Sequence, residues 1–587
     1  MQHTARQPRE SSRHRLSAFA IASVCSALAC GGGGSSGGGG NAGPPARTLD
    51  LSTSPADVLR VHGSVGTGRS GVPVASGGDV DGDGFVDLGL SAMRASPLGR
   101  SEAGTVFLVF GDGTLAGPRD TAVASADVLV VHGAAANENA GSEIWIDDVT
   151  GDGLADLLIA RQNFSLPGRV GAGALTIVPG GAALAAHAAT LAPLDLAAPP
   201  PALDVTTLVG RETLGRFGMW MRTGDATGDG VADLLIGADQ EDAPGESDSG
   251  AAYLVRGSSA LAAGGTIDLA DFGTTTLEGD LARIVPPASA NEFHFGATVE
   301  LADLDGNGRA EAIIAATLNR AGGALPASAG TASAAHSRGG PTDGAIYIAW
   351  DDNFPAGAWP AGYVVALGAA PGDLSTIRGG TRNVSFGEEL IGGDDYDGDG
   401  RADLFVGDIV GDATSDQSRP NSGSGHVLYD ASSLRGRTFS LDAPPSGLVT
   451  TTFIGPTSGG IASDTALRGD FDGDGRADLA FSSPHGNPPG RTEAGIIHIF
   501  HGQSGPWPAR VDLRWGRQPP ANALRLSEVH GAKAQDVLCY SAAHGDVDGD
   551  GIDDLIVNEM LGDGLAPGVN DVGNLLVIGG TAIQALP

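Results

Sequence analysis

Seven nine-residue segments place oxygen-bearing side chains at positions 1, 3, 5 and 9, a spacing able to enclose a hard cation. They read DVDGDGFVD at 79–87, DVTGDGLAD at 148–156, DATGDGVAD at 225–233, DLDGNGRAE at 303–311, DYDGDGRAD at 395–403, DFDGDGRAD at 470–478 and DVDGDGIDD at 546–554. Their starts lie 69, 77, 78, 92, 75 and 76 residues apart, so they are copies of one unit. Glycines at positions 4 and 6 let the chain curl until the oxygens converge, and position 7 offers its backbone carbonyl.

The ligands expected in the first copy are Asp79, Asp81, Asp83, the carbonyl of Phe85, and Asp87. The second offers Asp148, Thr150, Asp152, the Leu154 carbonyl and Asp156, and the third Asp225, Thr227, Asp229, the Val231 carbonyl and Asp233. The fourth has Asp303, Asp305, Asn307, the Arg309 carbonyl and Glu311; the fifth has Asp395, Asp397, Asp399, the Arg401 carbonyl and Asp403. The sixth supplies Asp470, Asp472, Asp474, the Arg476 carbonyl and Asp478, and the seventh Asp546, Asp548, Asp550, the Ile552 carbonyl and Asp554. Such a set suits Ca²⁺, up to seven ions, better than Mg²⁺, which keeps its waters. An EF-hand is excluded, because its position-12 Glu is replaced by Leu90 in the first copy and Ile159 in the second. The seven copies hold 25 formal negative charges at ligand positions, which repel one another without metal.

Strand-like runs must hold these loops. Behind them come DLLIA at 156–160, DLLIG at 233–237 and DLFVG at 403–407. A third run follows in each unit, as in AGTVFLVFG at 103–111 and GAAYLVRG at 250–257. A fourth ends in glycine: ADVLVVHG at 126–133, LDVTTLVG at 203–210, TTTLEG at 274–279, TTFIG at 451–455 and LRLSEVHG at 524–531. Four β-rich runs in a repeat of roughly 75 residues describe a propeller blade. The seventh unit lacks its fourth run, and ADVLRVHG at 56–63, nearly identical to 126–133, has no loop before it. The expected fold is an all-β, seven-bladed β-propeller whose last blade is completed by this N-terminal strand, removing free edges.

With Phe217-Gly218, Phe295-Gly296 and Phe386-Gly387 ahead of three loops, the sequence resembles the FG-GAP repeat family over residues 56–587. That family's best-known member is the N-terminal propeller of integrin alpha subunits. The resemblance implies calcium binding and an adhesion or scaffold role. Propellers of this type also occur in polysaccharide lyases and lectins, so a carbohydrate-active protein is the alternative.

The chain has 587 residues, 94 of them Gly, with 34 Lys+Arg against 70 Asp+Glu and a net charge of −36. Such acidity excludes nucleic acid as a partner. Hydrophobic residues at 41% suffice for a core. Residues 1–29 read as an export signal, with Arg6, Arg9, Arg13 and Arg15 before the short apolar run 16–29. Cys30 then precedes the Gly/Ser stretch 31–40, which resembles a bacterial lipoprotein signal with Cys30 lipidated. Residues 30–55 read as anchor and flexible linker. The expectation is an exported monomer of the cell envelope, an outer-membrane lipoprotein touching membrane only through its anchor and binding a protein or glycan.

Other motifs carry less. Arg468-Gly469-Asp470 spells an adhesion tripeptide, but Asp470 is committed to the sixth loop. His62, His132 and His530 occupy one repeated Val-His-Gly position, which marks a consensus residue, and His294, His498 and His544 read as structural. A G-x-S-x-G match around Ser35 and Ser36 falls in the glycine stretch, where no nucleophile elbow forms. The insertion 319–343 reads as a surface loop, Trp350, Trp359 and Tyr363 as core, and Glu388 and Glu389 as unshared acids. No catalytic constellation emerges.

Overall fold

The computed structural model describes residues 47–64, 73–242, 248–287, 294–317, 344–355, 357–369, 374–380, 385–411, 419–514, 524–566 and 568–586. The export signal, Cys30 and the insertion 319–343 lie outside them. Strands of the described residues form seven five-stranded sheets. In the first blade Val74–Ser76, Leu88–Ala92, Thr105–Val109 and Val128–His132 pair antiparallel in turn. The first strands of neighbouring blades touch one another right round the circle, so they line the axis. The molecule is thus a seven-bladed β-propeller.

Each blade packs between two others, which explains the unbroken apolar runs of its middle strands: both faces are covered, so polar and apolar residues need not alternate. Asp156–Arg161, Asp233–Ala238 and Asp403–Asp408 are buried along their whole length. The seven hydrophobic cores lie between blades. One joins Val106 and Leu108 of the first blade to Ile144, Leu157 and Ile159 of the second. Another joins Leu88 and Leu90 of the first blade to Leu59, Ile556 and Val577 of the last.

The ring closes as expected. Val58–His62 pairs antiparallel with Asn574–Ile578, from Val58 opposite Ile578 to His62 opposite Asn574. Two expectations need correction. The fourth strand of the third blade is Leu281–Val285, not 274–279, which forms turns. The stretch read as linker to residue 55 is also structured from Arg47. Thr48–Asp50 pairs parallel with Leu526–His530 on the sixth blade, and a 3₁₀ turn, Leu51–Thr53, follows.

Thr48–Asp50 belongs to a series. In every blade the fourth strand carries a short parallel strand donated by the neighbouring repeat: Leu194–Asp195 on the first, Gly265–Asp268 on the second, Arg510–Asp512 on the fifth. An arginine locks several of these. Arg100 grips Asp195 with two bonds of 2.6 and 2.7 Å, and Arg491 grips Asp50 at 2.6 and 2.9 Å. Arg169 pairs with Asp268, and Arg419 with Asp512 at 3.0 Å. The residue after each aspartate, Leu51, Leu196, Leu269 or Leu513, is buried. Leu51 joins the core between the sixth and seventh blades. Leu51→Ala should therefore lower unfolding stability by about 2–3 kcal/mol, read as a drop in the urea midpoint. A change below about 0.5 kcal/mol, the scale of surface substitutions, would show that the N-terminal strand is not packed.

Candidate metal centres

All seven acidic segments connect a first strand to a second, so they open on one face of the ring, and all curl alike. The position-1 carboxylate accepts from the glycine amide at position 6 in every copy, at 2.7 Å in Asp79 and 2.8 Å in Asp148. The position-5 side chain accepts from the amide of position 7, at 3.0 Å from Phe85 to Asp83 and 2.9 Å from Ile552 to Asp550. The glycines at 4 and 6 have positive φ, such as 89° at Gly82 and 96° at Gly84, which a side chain would strain.

Position 9 is the buried member. Asp87, Asp156, Asp233, Glu311, Asp403, Asp478 and Asp554 each have no exposed surface. One oxygen holds the loop's own start, as Asp87 does the Val80 amide at 2.7 Å. In six copies the other oxygen holds the chain leaving the third strand: Asp87 accepts from Gly111, Asp156 from Gly180, Asp233 from Gly257, Asp403 from Asp430, Asp478 from Gly502 and Asp554 from Gly580. In the fourth copy Glu311 Oε1 is buried with no hydrogen-bond partner.

Three-residue sets bring ligand oxygens within 4.8 Å of one another: Asp79, Asp81 and Asp87; Asp303, Asp305 and Glu311; Asp395, Asp397 and Asp399; Asp470, Asp472 and Asp474. Three of the predicted side chains thus converge in each of these four loops. Where threonine takes position 3, Thr150 donates to Asp156 at 3.4 Å, and Thr227 Oγ1 is buried without a partner. The sixth loop differs: His501 Nδ1 lies 3.1 Å from Asp472 and 3.0 Å from Asp478, and Arg525 pairs with both Asp472 and Asp474.

Three further clusters were not legible in the sequence. Arg222, on the third blade's first strand, lies 3.5 Å from Glu143, 3.4 Å from Glu300 and 3.9 Å from Glu389, tying four blades at the axis. Its guanidinium lies 4.7 Å over the Trp145 ring. Burial pushes Glu143 and Glu300 up to about 7, opposed at Glu143 by Arg222 and at Glu300 by Arg468 and then Arg222. Second, Ser483 Oγ lies 3.1 Å from His498 Nε2, and His498 Nδ1 lies 3.2 Å from Glu528. The order is that of a nucleophile relay, yet all three residues have no exposed surface, so no substrate reaches it. Third, His294 Nδ1 lies 2.8 Å from Asp239. Arg468 of the adhesion tripeptide sits at the axis, 3.6 Å from Asp394. Trp350 and Trp359 are buried.

Burial also raises the position-9 carboxyls: Asp156 and Asp233 to about 6, Asp87 and Asp554 to about 7, Asp403 and Glu311 to about 8. Their unfolded values lie near 4. Without metal the folded chain therefore holds protons that the unfolded chain has released. That contribution is complete below about pH 4 and is lost as pH rises through the folded values. Urea midpoints measured in chelator should fall steadily from about pH 5 to pH 8, and a rising midpoint would contradict this reading of the buried carboxyls.

Comparison with known proteins gives one sequence match. The FG-GAP repeat pattern matches residues 217–255 and 464–500, which span the first three strands and the loops of the third and sixth blades. No curated protein matches the sequence. Among solved structures, the exotype rhamnogalacturonan lyase YesX is 15% identical, with 89% of this chain and 76% of that one covered and a TM-score of 0.35. The Bacillus licheniformis rhamnogalacturonan lyase PL11 is 13% identical, with coverage of 86% and 71% and a TM-score of 0.31. The rhamnogalacturonan lyase YesW is 12% identical, with coverage of 89% and 91% and a TM-score of 0.28. With its loops, blades and closure described, the chain is a seven-bladed β-propeller that carries FG-GAP repeats.

Proposed function

We propose that the protein is a calcium-binding, non-catalytic propeller that holds a protein or glycan ligand at the cell envelope. The observation that carries this reading is the recurrence of one acidic loop in every blade, with oxygens gathered within 4.8 Å in several copies. Orphaned buried oxygens support the fit: Thr227 Oγ1, Asp305 Oδ1 and Glu311 Oε1 have no hydrogen-bond partner. Leaving a buried acceptor unsatisfied costs about 1–3 kcal/mol, which a bound cation would offset. FG-GAP repeats commonly bind calcium. Positions 1, 3, 5 and 9, with the carbonyl of position 7, would hold the ion, which would supply charge neutralisation rather than chemistry.

A binding role is also supported by where the polar clusters sit. The Ser483 relay is sealed, and the axial glutamates are engaged by Arg222. The basic and apolar N-terminal segment with Cys30 supports export and lipid anchoring. No helix among the described residues is long and apolar enough to cross a membrane.

Binding linkage makes the reading testable. Millimolar Ca²⁺ should raise the melting temperature above that in EDTA, by about 1 °C for each kcal/mol of stabilisation in a chain of this length. Equal melting temperatures would refute the calcium reading. Screening the protein against glycans and envelope proteins with and without Ca²⁺ should yield binding without turnover, whereas released oligosaccharide products would make it an enzyme.

A further inference from the structure

The seven loops are not equivalent, and the difference lies in two residues outside the nine-residue motif. In several blades the residue leaving the third strand donates its amide to the residue that enters the fourth. Phe110 donates to Asp127, Arg256 to Asp280, Tyr429 to Val449, His501 to Arg525 and Gly579 to Asp57. This shared register aligns the blades residue by residue. At the second position three blades carry an aspartate, one a valine, and the sixth an arginine.

Two of those aspartates, Asp127 and Asp57, add negative charge beside their loops. Asp127 lines, with Asp81 and Asp83, a cavity of about 340 Å³. The charge of Asp57 is felt at Asp548 in the seventh loop. Arg525 does the reverse. Its Nη1 lies 2.8 Å from Asp474 Oδ2, and its Nη2 pairs with Asp472 Oδ2. His501 fills the space behind, with Nδ1 at 3.1 Å from Asp472 Oδ2 and 3.0 Å from Asp478 Oδ2. Its ring is held from the far side, with Nε2 at 2.8 Å from Ser527 Oγ, which accepts from Arg47 Nε at 3.0 Å.

Three of the four carboxylates of the sixth loop are thus already engaged by side chains of the protein. Among the described residues no such ion pair reaches a ligand carboxylate of the first or fifth loop. The fourth loop is only partly engaged, since Arg435 pairs with Asp305 at 3.0 Å while Glu311 Oε1 is left without a partner. We propose that the sixth loop is closed to calcium, its ion replaced by the guanidinium of Arg525 and the imidazole of His501. This rests on the calcium reading of the other loops and reduces their complement to six at most.

The test is calcium counted per chain, by mass spectrometry after chelation and equilibrium dialysis, in three full-length proteins. Asp397→Asn removes a ligand from the fifth loop and should lose one ion relative to wild type. The pair His501→Phe with Arg525→Asp copies the first blade's Phe110 and Asp127 and should gain one. An unchanged count in that pair overturns the proposal. If the pair fails to fold, anomalous scattering from wild-type crystals grown in calcium decides. A peak at the fifth loop and none at the sixth supports the proposal, and a peak at the sixth overturns it. Retention of a transition metal by wild type, lost in His501→Phe, also overturns it. Wild type and Asp397→Asn that both bind no calcium would sink the calcium reading itself, and this proposal with it.

Discussion

A buried carboxylate with two oxygens pointing at two different pieces of backbone sets the geometry of nearly every blade. One oxygen of the position-9 residue closes the acidic loop on itself, and the other reaches the chain as it leaves the third strand. A carboxylate accepts several bonds and donates none when ionised, so a single aspartate satisfies amides that would otherwise be buried unpaired. The same group lies at the back of the candidate ion site. Fold and cation therefore share one residue, and charge at that residue cannot change without disturbing the hinge between three strands.

Elsewhere the ring is held by contacts between repeats. Each blade has two neighbours and no core of its own, so packing energy accrues only at the seven interfaces. The donated parallel strands, four of them gripped by arginines, bind each blade's outer edge to the next repeat. At the axis Arg222 binds three glutamates from three other blades. Polar residues thus fasten both the rim and the hub, while apolar residues fill the space between.

What was legible in the sequence was what repeats with a strong local signature. The loops announced themselves through glycine and aspartate at fixed offsets, and the middle strands through continuous apolar runs. The fourth strands were located by their terminal glycine, needed because a Cβ at Gly133 or Gly531 would sit 2.0 Å from a carbonyl oxygen. That rule misplaced the third blade's strand, since Pro286 follows Val285 and the glycine signal stood upstream at Gly279. The donated strands are too short for any periodicity to show. Their trace was a recurring Leu-Asp-Leu or close variant at 49–51, 194–196, 267–269 and 511–513, visible only once the aspartate had a role. The axial cluster was hidden because its glutamates stand at unequal distances ahead of their loops, five residues for Glu143, three for Glu300 and six for Glu389, and bulges such as that between Phe386 and Leu390 shift the register. Arg525 and His501 were missed because they neutralise the sixth loop from outside its motif.

The circular join also orders events in time. Arg60 meets Glu559 across 499 residues of chain. The strand that completes the last blade is synthesised long before its partner, with every other blade between them. Until Asn574–Ile578 emerges, Val58–His62 has no antiparallel neighbour, and the growing protein is an open fan with an unpaired edge at each end. Contacts of such long range are slow to form, so the interval before closure is when the chain is most exposed to pairing with a second copy of itself.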